Sequence, residues 1–253
     1  MKKSVINFFK AEIRMPHLIF WDWIFPLLLV GIISLFIKEN DTARFLFPGL
    51  ISMLILQSII FSVPYRLAQF KELGIFKLIS QKGSILKFLI SFFASRVLIL
   101  IIQIIFMLII GKWALKLELN ASWIVLFSTI FLSIVIFMII ASICGLIVKT
   151  QNSALGLAQA VYFLCIGASG IFYPLEKSPE ILKILSKFLP LTYINELWRV
   201  SLFNSGTDLK SNLLILSVMT AILLIVLFSI LLVSKRRGSN ENSTQIKKYG
   251  FSE

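Results

Sequence analysis

Residues 170–199, GIFYPLEKSPEILKILSKFLPLTYINELWR, decide how the whole chain is organised. A long apolar run ends within this segment at Tyr173-Pro174, and the next apolar run begins only after Asp208. Between them, apolar and charged residues recur at the three- and four-residue spacing of an amphipathic helix. Two apolar runs are therefore joined by a structured segment and not by a simple loop.

This segment is predicted to form two short helices. Ser178 can cap the first and Pro179 can start it, because proline lacks only an N–H group that would be unpaired at that position. Pro190 ends this helix, and residues 192–200 form the second. Where such a helix pair dips into the outer leaflet, its turn has to be covered by protein, since lipid satisfies no backbone hydrogen bonds.

The composition is that of a membrane protein. Of the 253 residues, 58% are hydrophobic, and the mean hydropathy is +0.94, whereas soluble domains are nearer half apolar. The chain has a net charge of +13, and its basic residues lie between the apolar runs. Nucleic-acid binding needs a soluble basic face instead, so we expect no nucleic-acid partner.

The residue counts also argue against catalysis or metal binding by this chain. Both cysteines lie inside apolar runs and there is a single histidine, so we expect no disulfide framework, metal site or catalytic Ser/His/Asp set. The sequence has no G-x-x-x-x-G-K-[ST] motif, which excludes ATP binding of that kind. We predict that the chain is not an enzyme by itself and binds no cofactor.

Several apolar runs have the length that a bilayer crossing requires, which is about 20 residues. They are predicted at 18–37, 47–63, 88–110, 123–148, 154–172 and 213–233. Ahead of them, residues 3–15 place basic residues on one helical face and aromatic and aliphatic residues on the other, as in a helix that lies in the headgroup plane. The predicted fold class is an all-α membrane protein with six transmembrane helices, an N-terminal interfacial amphipathic helix and an extracellular helical hairpin between the fifth and sixth spans.

The distribution of lysine and arginine predicts the orientation. These residues concentrate before the first run, in the loop at 65–87 and after the sixth run, whereas the intervening loops mix basic with acidic residues. Positive loops face the cytoplasm, so both termini, including the tail at 238–253, are expected in the cytoplasm. The chain itself is expected to cross the cell membrane several times. No loop exceeds about 40 residues, too few for a separate core, so residues 1–253 are expected to form one transmembrane domain.

The cytoplasmic loop at 65–87 carries an apolar stripe that includes Phe70 and Phe76, with charged residues around it. A helix with an aromatic stripe in the cytosol needs something to cover that stripe. A protein partner and the membrane surface are both consistent with the pattern.

Polar residues inside the predicted spans are the remaining candidates. Arg96 lies in the third span, where a charge either faces protein or water or extends to the headgroups. Gln103 in the same span, and Gln159 and Tyr162 in the fifth, are expected to hydrogen-bond between helices. Asp22 lies between two tryptophans, which prefer the interface, so we expect it at headgroup depth.

Two motifs in this sequence resemble the membrane subunit of ABC-2 type transporters. The first is the pattern of Gly, Phe/Tyr, Pro-Leu-Glu, Pro, then Leu-Pro-Leu-Thr-Tyr and a Glu/Arg pair at 170–199. The second is Lys71-Glu72-Leu73-Gly74, where the family's loop usually has Glu-Arg-Glu-x-Gly-Thr and this chain has Ile75 in place of threonine.

The resemblance implies a permease subunit of an ATP-driven exporter. It implies that two permease copies pair, as a homodimer or with a related permease, and that two separate ABC ATPase subunits, which bind ATP and Mg, dock on the cytoplasmic face. The residues implied in docking are Phe70, Lys71, Glu72, Gly74 and Phe76. Those implied in an extracellular gate are Tyr173, Pro174, Pro190, Tyr193, Glu196 and Arg199. The spacing of Glu196 and Arg199 also allows them to pair on one helical face, in a hairpin that merely caps the bundle.

Three functions are compatible with these patterns. Leu-Pro-Leu-Thr-Tyr and Trp198-Arg199 resemble the multidrug-export branch of the family, which implies export of an amphipathic small molecule, peptide or lipid. One alternative is the permease of an exporter for polysaccharide or lipid-linked glycan. The other is a membrane immunity or sensor component that transports nothing.

Overall fold

The computed structural model describes residues 2–36, 40–82, 84–119, 122–205 and 208–248, and all regular structure in these ranges is helical. The α-helices are α1 Lys2–Ile13, α2 Pro16–Ile19, α3 Phe25–Phe36, α4 Asn40–Glu72, α5 Ile75–Lys82, α6 Ile85–Ala114, α7 Trp123–Ile147, α8 Gln151–Ala168, α9 Glu180–Lys187, α10 Pro190–Phe203 and α11 Leu209–Lys248. A π-helical turn, Phe20–Ile24, joins α2 to α3, and a 3₁₀ turn, Leu175–Lys177, precedes α9. The predicted all-α class is confirmed.

Four helices in the described ranges are long and apolar enough to cross a membrane: Asp41–Glu72, Ile85–Ala114, Trp123–Ile147 and Leu209–Leu232. They correspond to the second, third, fourth and sixth predicted runs, of which the fourth and the sixth each extend one residue beyond these ranges. The first predicted run, 18–37, is divided by the π-helical turn, and its last residue lies outside the described ranges. The fifth run corresponds to α8, whose first turn is polar.

Helix α4 is the centre of the bundle. Residues 47–64 are buried without exception, and α6, α7, α8 and α10 pack around this helix. A helix that is apolar over its whole circumference has to be buried on all sides. The buried Ser52 hydrogen-bonds within the helix, where its Oγ donates to the Pro48 carbonyl at 2.9 Å.

Glycine allows two neighbours to approach α4 closely. A methyl group on Gly49 would lie 2.7 Å from the carbonyl oxygen of Ile171, and one on Gly145 of α7 would lie 2.9 Å from Leu67 Cδ1. Distances below 3.0 Å are shorter than ordinary carbon contacts, which are about 3.5–4.0 Å. The packing of these segments against α4 therefore requires glycine, which has no side chain, at positions 49 and 145.

The N-terminal helix α1 packs on α6 of the same chain. Phe8 contacts the rings of Phe70, Phe88 and Phe92, with centroid distances of 6.3, 5.1 and 5.8 Å. The helix predicted over 3–15 is present, and part of its apolar face is covered by protein. Ile6 and Ile13 remain exposed on it.

The two helices predicted in the segment at 170–199 are both present, as α9 and α10. The predicted cap at Ser178 is wrong: its hydroxyl donates to the Pro174 carbonyl at 3.2 Å, and Pro179 is the N-cap residue. Helix α10 begins at Pro190, because proline is well suited to the first turn. It packs on α4, α7 and α11 and buries Trp198 completely, so α10 belongs to the core.

Candidate functional site

A buried ion-pair cluster surrounds Arg96 of α6, whose side chain is 0% exposed. Its Nη1 donates to Asp22 Oδ2 at 2.8 Å and to Glu12 Oε2 at 3.2 Å, and its Nη2 donates to Asp22 Oδ1 at 3.0 Å. Nη2 also donates to the carbonyl and hydroxyl oxygens of Ser58 in α4. One guanidinium thus connects α1, the π-helical turn, α4 and α6. Protein encloses Arg96, which therefore does not extend to the headgroups.

The π-helical turn Phe20–Ile24 contains Asp22. Such turns widen a helix by one residue and recur at functional sites. The Asp22 carboxylate faces Arg96, while its carbonyl accepts from Gln103 Nε2 at 3.0 Å. Asp22 was expected at headgroup depth, and the structure instead buries it inside the bundle at 5% exposure.

Hydrogen bonds extend this cluster along α4 towards α8. Ser58 Oγ donates to Gln103 Oε1 at 2.9 Å, and one residue earlier Gln57 Oε1 accepts from Tyr162 Oη at 2.6 Å. Gln103 and Tyr162 therefore bond between helices. Gln159, the remaining polar residue predicted in a span, lies on the exposed face of α8.

The cluster is not fully hydrogen-bonded near Arg66 of α4. Among the described residues, Glu12 Oε1 and the Nε and Nη2 atoms of Arg66 are buried without a hydrogen-bond partner, while Arg66 Nη1 donates to Gln69 at 2.8 Å. Burial raises the pKa of the Glu12 carboxyl above its ordinary value, although Arg96 and Arg66 act to lower it. Burial therefore disfavours the charged form of Glu12, and the neighbouring guanidinium groups of Arg96 and Arg66 stabilise it.

The sequence did not single out Glu12 and Asp22 as partners of Arg96. One indication was present in the sequence: an arginine inside a span is usually paired with a carboxylate from elsewhere in the chain. Asp22 is the only acidic residue in the first predicted run. That signal could have suggested Asp22, but nothing local pointed to Glu12.

The turn between α4 and α5 contains the Lys71-Glu72-Leu73-Gly74 motif. Gly74 has φ +64°, and its N–H donates to the Lys71 carbonyl at 3.0 Å. A left-handed residue directly after a helix is a standard C-terminal cap, which glycine adopts without strain. The glycine of the motif therefore ends α4 and turns the chain into α5.

Lys71 and Glu72 bind the junction between α7 and α8. Lys71 Nζ donates to the carbonyls of Gly145, Leu146 and Val148 at 2.8, 2.7 and 3.1 Å. The Glu72 carboxylate accepts from the backbone N–H of Gln151 at 3.3 Å and from its side-chain amide. A cation thus lies at the C-terminus of α7 and an anion at the N-terminus of α8, as the helix dipoles favour.

Phe70 is not placed to anchor a partner protein, as its predicted docking role requires. Its side chain is 4% exposed and contacts the rings of Phe8, Phe88 and Phe92. It is buried because α4 stays helical to Glu72 and carries Phe70 against α1 and α6. Phe76 lies 6.0 Å from Phe70 and is half-buried. The apolar side chain that this turn exposes most is Leu73, at 65%.

The predicted gate residues make contacts within the chain. Arg199 Nη1 pairs with Glu196 Oε1 at 2.7 Å, and its guanidinium lies 4.1 Å above the Phe45 ring. Tyr173 Oη donates to the Gly167 carbonyl at 2.6 Å, and Tyr193 Oη donates to the Lys187 carbonyl at 2.9 Å. Pro174 precedes the 3₁₀ turn, and Pro190 starts α10. A cleft of about 630 Å³ opens beside this pair, lined by Lys183, Lys187, Thr192, Tyr193 and Glu196 among others.

The all-helical fold and its membrane-length helices define a multi-pass membrane protein. A model of the ABC-2 type transporter family matches residues 4–203, which is most of the chain. The protein therefore belongs to the ABC-2 type transporter family and is the permease component of an ABC transporter. The matched region is a transport component and not catalytic by itself. Among curated proteins, none matches this sequence significantly.

Proposed function

We propose that this chain is the permease of an ATP-driven exporter that moves an amphipathic small molecule, peptide or lipid out of the cell. Two permease copies pair, and two ABC ATPase subunits, which carry ATP and Mg, bind at the cytoplasmic turn between α4 and α5. The observation that carries this proposal is the family match over residues 4–203. The exposed Leu73 and half-buried Phe76 beside the capping Gly74 support this turn as the docking point.

The proposed topology has six crossings with both termini in the cytoplasm. The helical segment from Pro16 to Phe36 is about 30 Å long, and α8 is about 27 Å long, at about 1.5 Å per residue. The hydrocarbon core is about 30 Å thick, so either segment has nearly the length to cross it. The positive-inside distribution supports the orientation.

Co-purification with a co-expressed ABC ATPase subunit tests the assembly. Aromatic and large apolar anchors dominate such interfaces, and loss of one typically costs about 2 kcal/mol or more. We expect wild-type chain to retain the ATPase, and Leu73→Ala with Phe76→Ala to lose it while the permease stays in the membrane. Ile181→Ala, which truncates an exposed side chain on α9, serves as the control and should retain the ATPase.

The same preparation separates the alternatives. Retention of the ATPase together with nucleotide-dependent movement of an amphipathic dye supports the proposed substrate class. Movement of a lipid-linked glycan alone assigns the chain to the glycan branch. Failure to bind any ABC ATPase contradicts the proposal and favours a component that transports nothing.

A further inference from the structure

We infer that Lys71 and Glu72 form a brace that positions α8, so that α8 follows the cytoplasmic turn when an ATPase moves that turn. This inference rests on the proposed function of the turn. It assigns the two residues a role in transmitting motion, as positioning residues, and it names the helix that receives the motion.

The Lys71 half of the brace holds the end of α7. The last carbonyls of a helix have no partner within it, and Lys71 Nζ donates to three carbonyls there, those of Gly145, Leu146 and Val148, at 2.7–3.1 Å. The lysine reaches them because Gly145 lets α7 approach Pro64 and Leu67 of α4 closely. The Lys71 ammonium therefore supplies the hydrogen-bond donors that the N–H groups of a further helical turn would have provided to these carbonyls.

The Glu72 half holds the start of α8. Thr150 caps this helix by accepting from the N–H of Ser153 at 3.2 Å, and Glu72 accepts from the N–H of Gln151 at 3.3 Å. The two side chains thus satisfy different free N–H groups of the same helix end. The contact is exposed, so it can break and re-form without a large desolvation cost.

The order of the two charges matches the two helix ends. Residues 148–150 interrupt the helical path between α7 and α8, and the brace spans this break from the last two residues of α4. Lys71 faces the negative end of α7, and Glu72 faces the positive end of α8. If the charges were exchanged, each would face an end of its own sign.

Helix α8 is a suitable element to move. Its exposed face carries Asn152 and Gln159, whose polar groups lipid cannot satisfy. That face therefore belongs against water or protein in the assembled transporter. Further along, Tyr162 ties α8 to Gln57 of α4 at 2.6 Å, so the brace controls the cytoplasmic end of a helix that is fastened to α4 deeper in the bundle.

The test uses the full chain with its co-purified ATPase in proteoliposomes. The variants are Lys71→Met, Glu72→Gln, the exchange Lys71→Glu with Glu72→Lys, and the conservative Lys71→Arg. We expect the first three to keep ATPase binding and ATP hydrolysis, because the proposed docking is through Leu73 and Phe76 while Lys71 and Glu72 contact α7 and α8. Transport should fall about tenfold, the size of a typical coupling energy. Lys71→Arg should keep most of the transport, since its guanidinium can donate to the same carbonyls.

A second measurement reports on α8 directly. Cysteine is introduced at Asn152 after Cys144→Ala and Cys165→Ala remove the native thiols, and its reaction with a thiol reagent is followed with and without nucleotide. In the wild-type background the rate should change with nucleotide, and in the exchange Lys71→Glu with Glu72→Lys, which removes the acceptor at the start of α8, it should not. Transport unchanged in Lys71→Met and Glu72→Gln overturns the inference, and so does transport lost only together with ATPase binding and thermal stability.

The two proposals fail in different ways. If wild-type chain binds no ATPase, the proposed function fails. The brace is then decided by the cysteine at position 152 without nucleotide, because a loosened α8 terminus reacts faster. Equal rates in the exchange Lys71→Glu with Glu72→Lys and in the wild-type background would overturn the brace.

Discussion

Arg96 and Asp22 form a bidentate ion pair inside the bundle, in which Nη1 donates to Oδ2 at 2.8 Å and Nη2 donates to Oδ1 at 3.0 Å. The two residues come from different helices, and neither is more than 5% exposed. A bidentate pair of this kind fixes the relative orientation of the two side chains as well as the distance between them. It sets the angle at which the π-helical turn packs on α6.

Breaking this pair should destabilise the protein strongly. Arg96→Gln leaves the buried Asp22 and Glu12 carboxyl groups without their guanidinium partner, a loss that typically costs about 3–5 kcal/mol. Asp22→Asn leaves Arg96 with the longer contact to Glu12 at 3.2 Å in place of the bidentate pair. Thermal unfolding in detergent, followed by circular dichroism, should show a large fall in the midpoint for either variant. Arg44→Gln is the matched control, because Arg44 pairs with Glu118 at 3.8 Å on the surface and exposed pairs contribute about 0–1 kcal/mol. Equal effects at the two sites would contradict the assigned burial.

Glu12 should give the folded protein a distinct pH dependence. Its pKa is raised by burial, so the folded chain binds this proton more readily than the unfolded chain. The contribution of Glu12 to stability is therefore greatest at low pH and is lost as the pH rises through the folded pKa. Unfolding midpoints of wild type and Glu12→Gln, measured across mildly acidic to neutral pH, should differ in slope in that direction. Parallel curves would show that Glu12 titrates normally.

Gly49 should not tolerate even a methyl group. Gly49→Ala places that methyl 2.7 Å from the Ile171 carbonyl oxygen and 3.1 Å from Ile171 Cβ. Helix α4 and the segment that contains Ile171 would have to move apart, which typically costs about 1–3 kcal/mol. Gly31→Ala on α3 is the control, since nothing lies within 4 Å of its added methyl. There the change should be neutral or stabilising, as alanine is the better helix former. A stable Gly49→Ala variant would mean that this contact is looser than described.

Glu196 and Arg199 are expected to act as a structural pair. Both side chains are less than 20% exposed, and Arg199 also covers Phe45. Glu196→Gln and Arg199→Gln should each reduce the abundance of folded protein and the transport of every substrate alike, and exchange of the two residues should restore part of both. Glu180→Gln on the same hairpin should have no effect. Stable single variants that change only which substrate is exported would assign the pair to the transport path.

Local sequence patterns predicted most of the helices well. The third and fourth predicted runs, 88–110 and 123–148, correspond to α6 at Ile85–Ala114 and α7 at Trp123–Ile147. Long apolar segments leave a chain few alternatives in lipid, where backbone hydrogen bonds must be made within the segment. The division of the first run was not foreseen, because a π-helical turn has no clear signature of apolar periodicity.

The contacts that define the site are long-range, and the sequence gives little sign of them. Glu12 and Arg96 are 84 residues apart, so no spacing rule connects them. Phe70 was assigned to a partner because a stripe on a loop helix appears uncovered until α1 is packed beside it. Lys71 and Glu72 were found through a family motif, yet their partners, 74 to 79 residues away, emerged only from the packing of α4 on α7 and α8.

The most direct test of the central claim is ATP-dependent transport by the reconstituted complex. Purified chain and its ATPase are placed in liposomes together, and movement of an amphipathic fluorescent substrate is followed with ATP and Mg, with a non-hydrolysable nucleotide, and with an ATPase variant that binds but cannot hydrolyse ATP. We expect movement only where ATP is hydrolysed, and we expect it to be lost when Leu73→Ala and Phe76→Ala remove the docking surface. Movement that is independent of nucleotide, or a complex that hydrolyses ATP and moves no amphipathic substrate, would contradict the central claim.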